Sequence, residues 1–260
     1  NRIKSSYGLL PKYSTLQLLK DNHITIKDID FISITGITYK NVETRWKLFV
    51  QHLFGYCPEI HTYHHQEAHA AAAFYGSPFL SAVSVTLDSS GDGVSGSIYL
   101  CNRDNGMELI DYIPKSLSLG SIYTQLTYHL GFEDGDEYKV MGLAPYAEDR
   151  NKILFDPFDE KIRTKISRTN PELLSPFDYP SDTLSTEKIT GVPKRSVVDP
   201  ITSQHQELAK TLQDALVNRI KPIIEKAVSL TGESNVVYSG GVALNCSANN
   251  VIFNSTEVQN

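Results

Sequence analysis

The sequence predicts an α/β protein, and three patterns carry that reading. Residues 235–238 form an apolar strand that runs into Ser239-Gly240-Gly241 and then into a helical stretch starting near Val242. Residues 81–87 and 95–100 alternate as two strands joined by a glycine-bearing turn. Residues 204–230 place Leu208, Leu212, Leu216, Ile220, Ile223, Ala227 and Leu230 three or four apart, the spacing of one buried helix face. Strand, glycine turn and helix in alternation are the grammar of layered α/β architecture.

The remaining elements follow in chain order. Ser14 is a candidate N-cap for a short helix carrying Leu16, Leu18 and Leu19, and residues 24–32 alternate as a strand that continues through 31–35. Residues 44–54 set Trp46, Phe49, Val50 and Leu53 on one helical face. Residues 62–75 are rich in Ala and His and stop at Gly76-Ser77-Pro78. The strand at 81–87 delivers Asp88 into the turn Ser89-Ser90-Gly91-Asp92-Gly93. Residues 118–130 read as a helix closed by Gly131, residues 138–146 as a loop of fixed shape, and 147–200, polar and proline-bearing, as a surface insertion. Pro222 marks a kink in the long helix.

Composition narrows the function. The 260 residues hold 24 Lys plus Arg against 30 Asp plus Glu, a net charge of −6, which speaks against a nucleic-acid partner because phosphate binding draws on a basic excess. With 40% hydrophobic and 21% charged residues, the chain has the material for a sizeable core. No apolar run approaches the roughly 20 residues of a membrane-spanning helix, and residues 1–7 show no signal-peptide core. Three dispersed cysteines, Cys57, Cys101 and Cys246, suggest neither a disulfide framework nor a zinc knuckle, and point to a reducing, cytoplasmic setting. A start at Asn1 and a stop at Asn260 without a cap suggest a fragment.

Two constellations could carry chemistry. His65 and His69, four apart on a predicted helix, project from one face and could hold one metal ion, or could simply pack at a surface. Asp88 at a strand end would add a carboxylate, a set that suits iron, zinc or manganese, unless it serves only as an Asx-turn residue. The second constellation is a nucleotide seat. Gly91, Asp92 and Gly93 offer turn amides, Gly240 and Gly241 precede a helix start, and Asn245 could reach a ribose or base edge. Lys139 is either a phosphate contact or the partner of Asp136 or Glu137.

These segments resemble a known family. His65-Gln66-Glu67-Ala68-His69-Ala70, the stretch from Asp88 to Gly93, Glu137-Tyr138-Lys139-Val140-Met141-Gly142-Leu143-Ala144-Pro145-Tyr146 and Gly240-Gly241-Val242-Ala243-Leu244-Asn245 are similar, in order and spacing, to the O-carbamoyltransferases of antibiotic and nodulation-factor biosynthesis. The resemblance implies an actin, Hsp70 and sugar-kinase type fold with two α/β lobes around a nucleotide cleft, here incomplete at both ends. It implies a carbamoyl group taken from carbamoyl phosphate, activated with ATP as carbamoyl adenylate and passed to a hydroxyl of a small-molecule or sugar acceptor. His65, His69 and Asp88 would be the metal ligands, with iron foremost. Glu207, in a segment resembling the family's H-x-D-x-A with Glu in place of Asp, would be the base that deprotonates the acceptor, or else a first-turn carboxylate stabilised by the helix dipole.

Ser89 and Ala147 stand where the family has glycines, and the adenylate-forming C-terminal domain is expected to lie outside this chain. Competing readings are a tRNA threonylcarbamoyladenosine transferase, which Glu67 within H-H-Q-E-A-H favours and the charge opposes, a non-catalytic nucleotide-binding module, and a sugar kinase of the same superfold.

Overall fold

A computed structural model describes residues 10–133, 135–148, 153–160, 162 and 183–255. Contacts divide the chain into two units, Asn1–Ala68 and His69–Asn260.

In the first unit, α1 (Lys12–Asp21) leads through a 3-10 turn, Ile26–Asp28, to β1 (Phe31–Thr35), α2 (Val42–Phe54) and β2 (Glu59–Tyr63). β1 and β2 pair in parallel from Phe31↔Glu59 to Thr35↔Tyr63, so α2 is the crossover that parallel pairing demands. Leu19, Ile26 and Val50 are buried together, with Trp46 and Phe49 packed against them. Three sequence expectations shift. Ser14 lies inside α1, where it and Thr15 donate their hydroxyls back to the Pro11 carbonyl at 3.2 and 2.7 Å. The strand expected over 24–32 is shortened because the Asp28 carboxylate accepts from both the N–H and the hydroxyl of Thr25, at 2.8 Å each, and folds 25–28 into a turn. The helix expected from Thr62 begins at His65, since 59–63 are taken by β2.

Helix α3 (His65–Gly76) crosses the boundary between the units. The second unit is built on a four-stranded sheet in the order β5-β4-β3-β6: β3 (Ser81–Gly91), β4 (Val94–Asn102) and β5 (Gly106–Pro114) form an antiparallel meander, and β6 (Val236–Ser239) joins β3 in parallel. Side chains alternate across β3 as a strand dictates. Val83, Val85 and Leu87 face a core shared with α4 (Leu119–His129), α5 (Glu137–Leu143), α7 (Ser203–Thr231) and α8 (Cys246–Ser255). Ala82 turns the other way, packing with Tyr99, Cys101 and Val237 against Ala70 and Phe74 of α3. Helices thus cover both faces of a mixed sheet, consistent with the α/β class expected from the sequence. No helix among the described residues is long and apolar enough to cross a membrane.

Further expectations are corrected here. Residues 138–146, read as a loop of fixed shape, are instead α5 (Glu137–Leu143) followed by a 3-10 turn at Ala144–Tyr146. The helix expected from Val242 begins at Cys246, because Gly241–Leu244 is a 3-10 turn and Asn245 caps α8 by accepting from the Ala248 N–H at 2.9 Å. Pro222, expected to mark a kink, lies inside α7 without ending it. Within the stretch read as a surface insertion, a short helix α6 (Thr183–Thr190) precedes Val192, and both Val192 and Phe158 are buried in the main core. Residues 163–182 lie outside the described part.

Candidate functional site

Asp88 is the pivot of the site. It lies within β3, at the point where pairing with β4 loses register between Leu87 and Gly91, so the strand there is free to turn its groups outward. One carboxylate oxygen, Oδ1, accepts from the Ser89 N–H at 2.7 Å. The other, Oδ2, stands 3.4 Å from His69 Nε2, with both side chains half-buried. His69 is fixed through its backbone, whose carbonyl accepts from the Ser239 hydroxyl at 2.9 Å, tying α3 to the end of β6. His65 precedes His69 by four residues on the same helix, where the 3.6-residue repeat brings side chains to one face.

Glycines make room around this pivot. Gly240 has φ +97, a left-handed conformation that glycine adopts without strain, and any Cβ there would collide with the Leu87 carbonyl oxygen. A Cβ on Gly241 would stand 2.9 Å from Asp88 Oδ1. The double glycine therefore serves close approach of β6 to β3.

A cavity of about 300 Å³ opens beside Asp88, with Ser89, Gly120, Tyr123, Glu137 and Asn245 in its wall. Its polar groups are held in place. Thr124 donates its hydroxyl to Glu137 Oε1 at 2.7 Å. Tyr123 donates to Gln213 Oε1 at 3.0 Å, and burial pushes its phenol up from the usual value, so it stays a neutral donor. Gln213 and Asn245 exchange amide hydrogen bonds, Gln213 Nε2 to Asn245 Oδ1 at 2.9 Å and Asn245 Nδ2 to Gln213 Oε1 at 2.8 Å.

The residues singled out in the sequence divide accordingly. Asp88, Gly241 and Asn245 line the cavity, although the amide of Asn245 is occupied by Gln213 and Ala248. Gly91, Asp92 and Gly93 form a tight hairpin turn, with Asp92 and Gly93 both at positive φ and Gly91 paired to Val94, and are not part of the wall. Lys139 is not part of it either, and its ammonium pairs with the buried Asp136 carboxylate at 2.8 Å. Glu207 lies in the first turns of α7, nine residues before Leu216, the α7 residue that reaches the cavity, and is not part of its wall. Among the described residues, Glu137 is the carboxylate in the wall besides Asp88.

Residues 39–260 match the family described as carbamoyltransferase N-terminus. The chain belongs to that family. Relatives of this carbamoyltransferase domain include nodulation protein NolNO of Sinorhizobium fredii, 32% identical over 74% of this chain and 27% of that protein, and nodulation protein NolO of Bradyrhizobium diazoefficiens, 32% identical over 74% and 33%. The uncharacterized protein sll1178 of Synechocystis is 31% identical over 75% of this chain and 32% of its own length. The carbamoyltransferase domain thus spans about a third of the length of these relatives. Among solved structures, full-length HypF in its phosphate- and nucleotide-bound form aligns with a TM-score of 0.47 at 12% identity, over 94% of this chain and 44% of that one. HypF of T. kodakarensis gives 0.46 at 14%, over 95% and 39%.

Proposed function

We propose that this chain is the metal- and nucleotide-binding part of an O-carbamoyltransferase that takes a carbamoyl group from carbamoyl phosphate, by way of an ATP-derived carbamoyl adenylate, to a hydroxyl of a small-molecule or sugar acceptor. The observation that carries this reading is the placement of Asp88. Its carboxylate faces His69 while its residue lines a cavity large enough for part of a small ligand, in a chain of the carbamoyltransferase family.

His65, His69 and Asp88 would hold the metal. Two imidazoles and one carboxylate are a donor set that iron, zinc and manganese accept, and all three residues are half-buried. Such an ion supplies Lewis acidity toward a carbamoyl or phosphate oxygen. The chain's own residues do the positioning. The Ser89 N–H holds one oxygen of Asp88 and so orients the other toward His69. Glu137, steadied by Thr124, presents a carboxylate that can accept a hydrogen bond or a proton from a ligand hydroxyl in the cavity. Gly120 and Gly241 let the start of α4 and the turn after β6 close directly onto Ser89 and Asp88, which holds this side of the cavity in place.

The test is elemental analysis of the purified chain combined with ATP titration by calorimetry. Near-stoichiometric iron, zinc or manganese that disappears in a His65→Ala, His69→Ala double variant, together with saturable ATP binding, supports the reading. A chain that binds neither metal nor ATP overturns it.

A further inference from the structure

Helix α7 opens on a cap closed by histidine. Thr202 occupies the N-cap position, where a Glu or Gln three residues on commonly reaches back to the cap N–H. Here His205 does so: the Thr202 N–H donates to His205 Nδ1 at 3.0 Å, and the Thr202 hydroxyl lies 2.8 Å from the same nitrogen. A ring nitrogen that accepts from an N–H carries a lone pair, so the imidazole is neutral with its proton on Nε2. The ring is buried.

The chain that leads into this cap is laid along the end of α4. Arg195 donates from Nε to the Leu130 carbonyl at 2.7 Å and from Nη2 to the Gly131 carbonyl at 3.2 Å, satisfying groups that a helix end leaves open. Its backbone N–H reaches the His129 carbonyl at 3.1 Å. His129 in turn stands with Nε2 2.8 Å from the Val192 carbonyl, which fixes that nitrogen as the donor.

We propose that His205 is a proton-operated latch at the start of α7: neutral, it closes the helix cap, and protonated on Nδ1 it opens the cap and loosens the approach segment 190–202. The chemistry follows from the geometry. A proton on Nδ1 turns the acceptor into a donor facing the Thr202 N–H. The Thr202 hydroxyl can rotate to accept from it, but the backbone N–H cannot and loses its partner. A positive charge in the first turn also opposes the helix dipole.

The charged groups around the ring are Arg195, which disfavours a second cation, and Asp199, which favours it, while the Pro193 carbonyl favours the charged form. Near His129 stand Lys194, Glu187 and His205 itself, so charging one histidine opposes charging the other. Burial is the largest influence on both rings and holds each below the ordinary histidine range. As pH falls, the unfolded chain therefore takes up protons first, near pH 6.5. The stability these rings contribute is complete above that pH and declines as pH drops through the lower folded values.

The test is amide hydrogen exchange across the start of α7, corrected for intrinsic rates, at about pH 7.5 and about pH 5.5, on either side of an ordinary histidine. In the wild-type chain, protection of the Thr202 amide and the first turn of α7 is expected to fall about five- to tenfold at the lower pH, the scale of a lost helix cap. His205→Glu, whose carboxylate remains an acceptor down to about pH 4, and His205→Gln, an acceptor at every pH, are expected to keep that protection. Equal loss in wild type and variants, or no loss in wild type, overturns the latch. If neither variant folds, NMR titration of the wild type decides: the Thr202 amide shift must move in step with the His205 ring, and a Thr202 amide indifferent to that titration overturns the proposal.

Discussion

Gly120 and Ser89 are packed backbone to backbone: a Cβ at position 120 would lie 2.7 Å from the Ser89 amide nitrogen and 2.8 Å from its Cα. Ser118 and Ser121, on either side of that glycine, donate their hydroxyls to the Ser89 carbonyl at 2.6 and 3.1 Å. The start of α4 is thereby clamped onto the residue that follows Asp88.

Gly120→Ala should reverse the usual sign for glycine in a helix. Alanine at an exposed helical glycine gains about 1 kcal/mol, whereas here the methyl group meets backbone that cannot move aside and overpacking costs about 1 to 3 kcal/mol. Denaturant midpoints of the variant and the wild type measure the sign directly.

Asp88→Asn should separate fold from metal. The asparagine oxygen can still accept from the Ser89 N–H, so the midpoint of unfolding should move little, while loss of the charge beside His69 should weaken metal binding by at least the roughly 10- to 100-fold seen when a supporting group is removed. Elemental analysis after dialysis, with circular dichroism as the control, reads both.

Gln213→Leu should destabilise the chain by about 2 to 4 kcal/mol, because it strands the Asn245 amide and the Tyr123 hydroxyl, buried groups that each lose a partner. Thermal unfolding measures the loss, and ATP titration shows how far the cavity wall depends on this network.

Lys139→Met should leave ATP affinity within about a factor of two, since the ammonium faces Asp136, and should lower stability by about 1 kcal/mol or slightly more, because Asp136 is more buried than a surface partner. A large loss of affinity would return Lys139 to the phosphate role that the sequence suggests.

The elements the sequence exposes are those whose pattern is local. The 81–100 hairpin, the 118–130 helix and the long helix ending at Thr231 announce themselves by alternation or by a three-to-four repeat, and His69 and Asp88 stand out because ligand spacing and a strand's run-out are both short-range signals. What stays hidden is long-range. Glu137 acquires its setting from Thr124, thirteen residues earlier, and Arg195 closes carbonyls more than sixty residues away. α5 is concealed because Gly142 and Pro145 break its propensity, and packing of Val140 and Leu143 into the core overrides them. Lys139 stays ambiguous in the sequence because a lone cation after an acidic loop looks the same whether its partner is a phosphate or Asp136.

The parallel pairing of β3 with β6 joins residues 83–86 to residues 236–239. During synthesis the interior strand of the sheet therefore waits, one edge bare, until some 145 further residues have been added between Gly91 and Val236. At about 5 to 20 residues per second that delay lasts roughly 7 to 30 s. Through that interval residues 83–86 present an unpaired strand edge of the kind that recruits other chains, so the nascent chain is exposed to misassembly until β6 arrives.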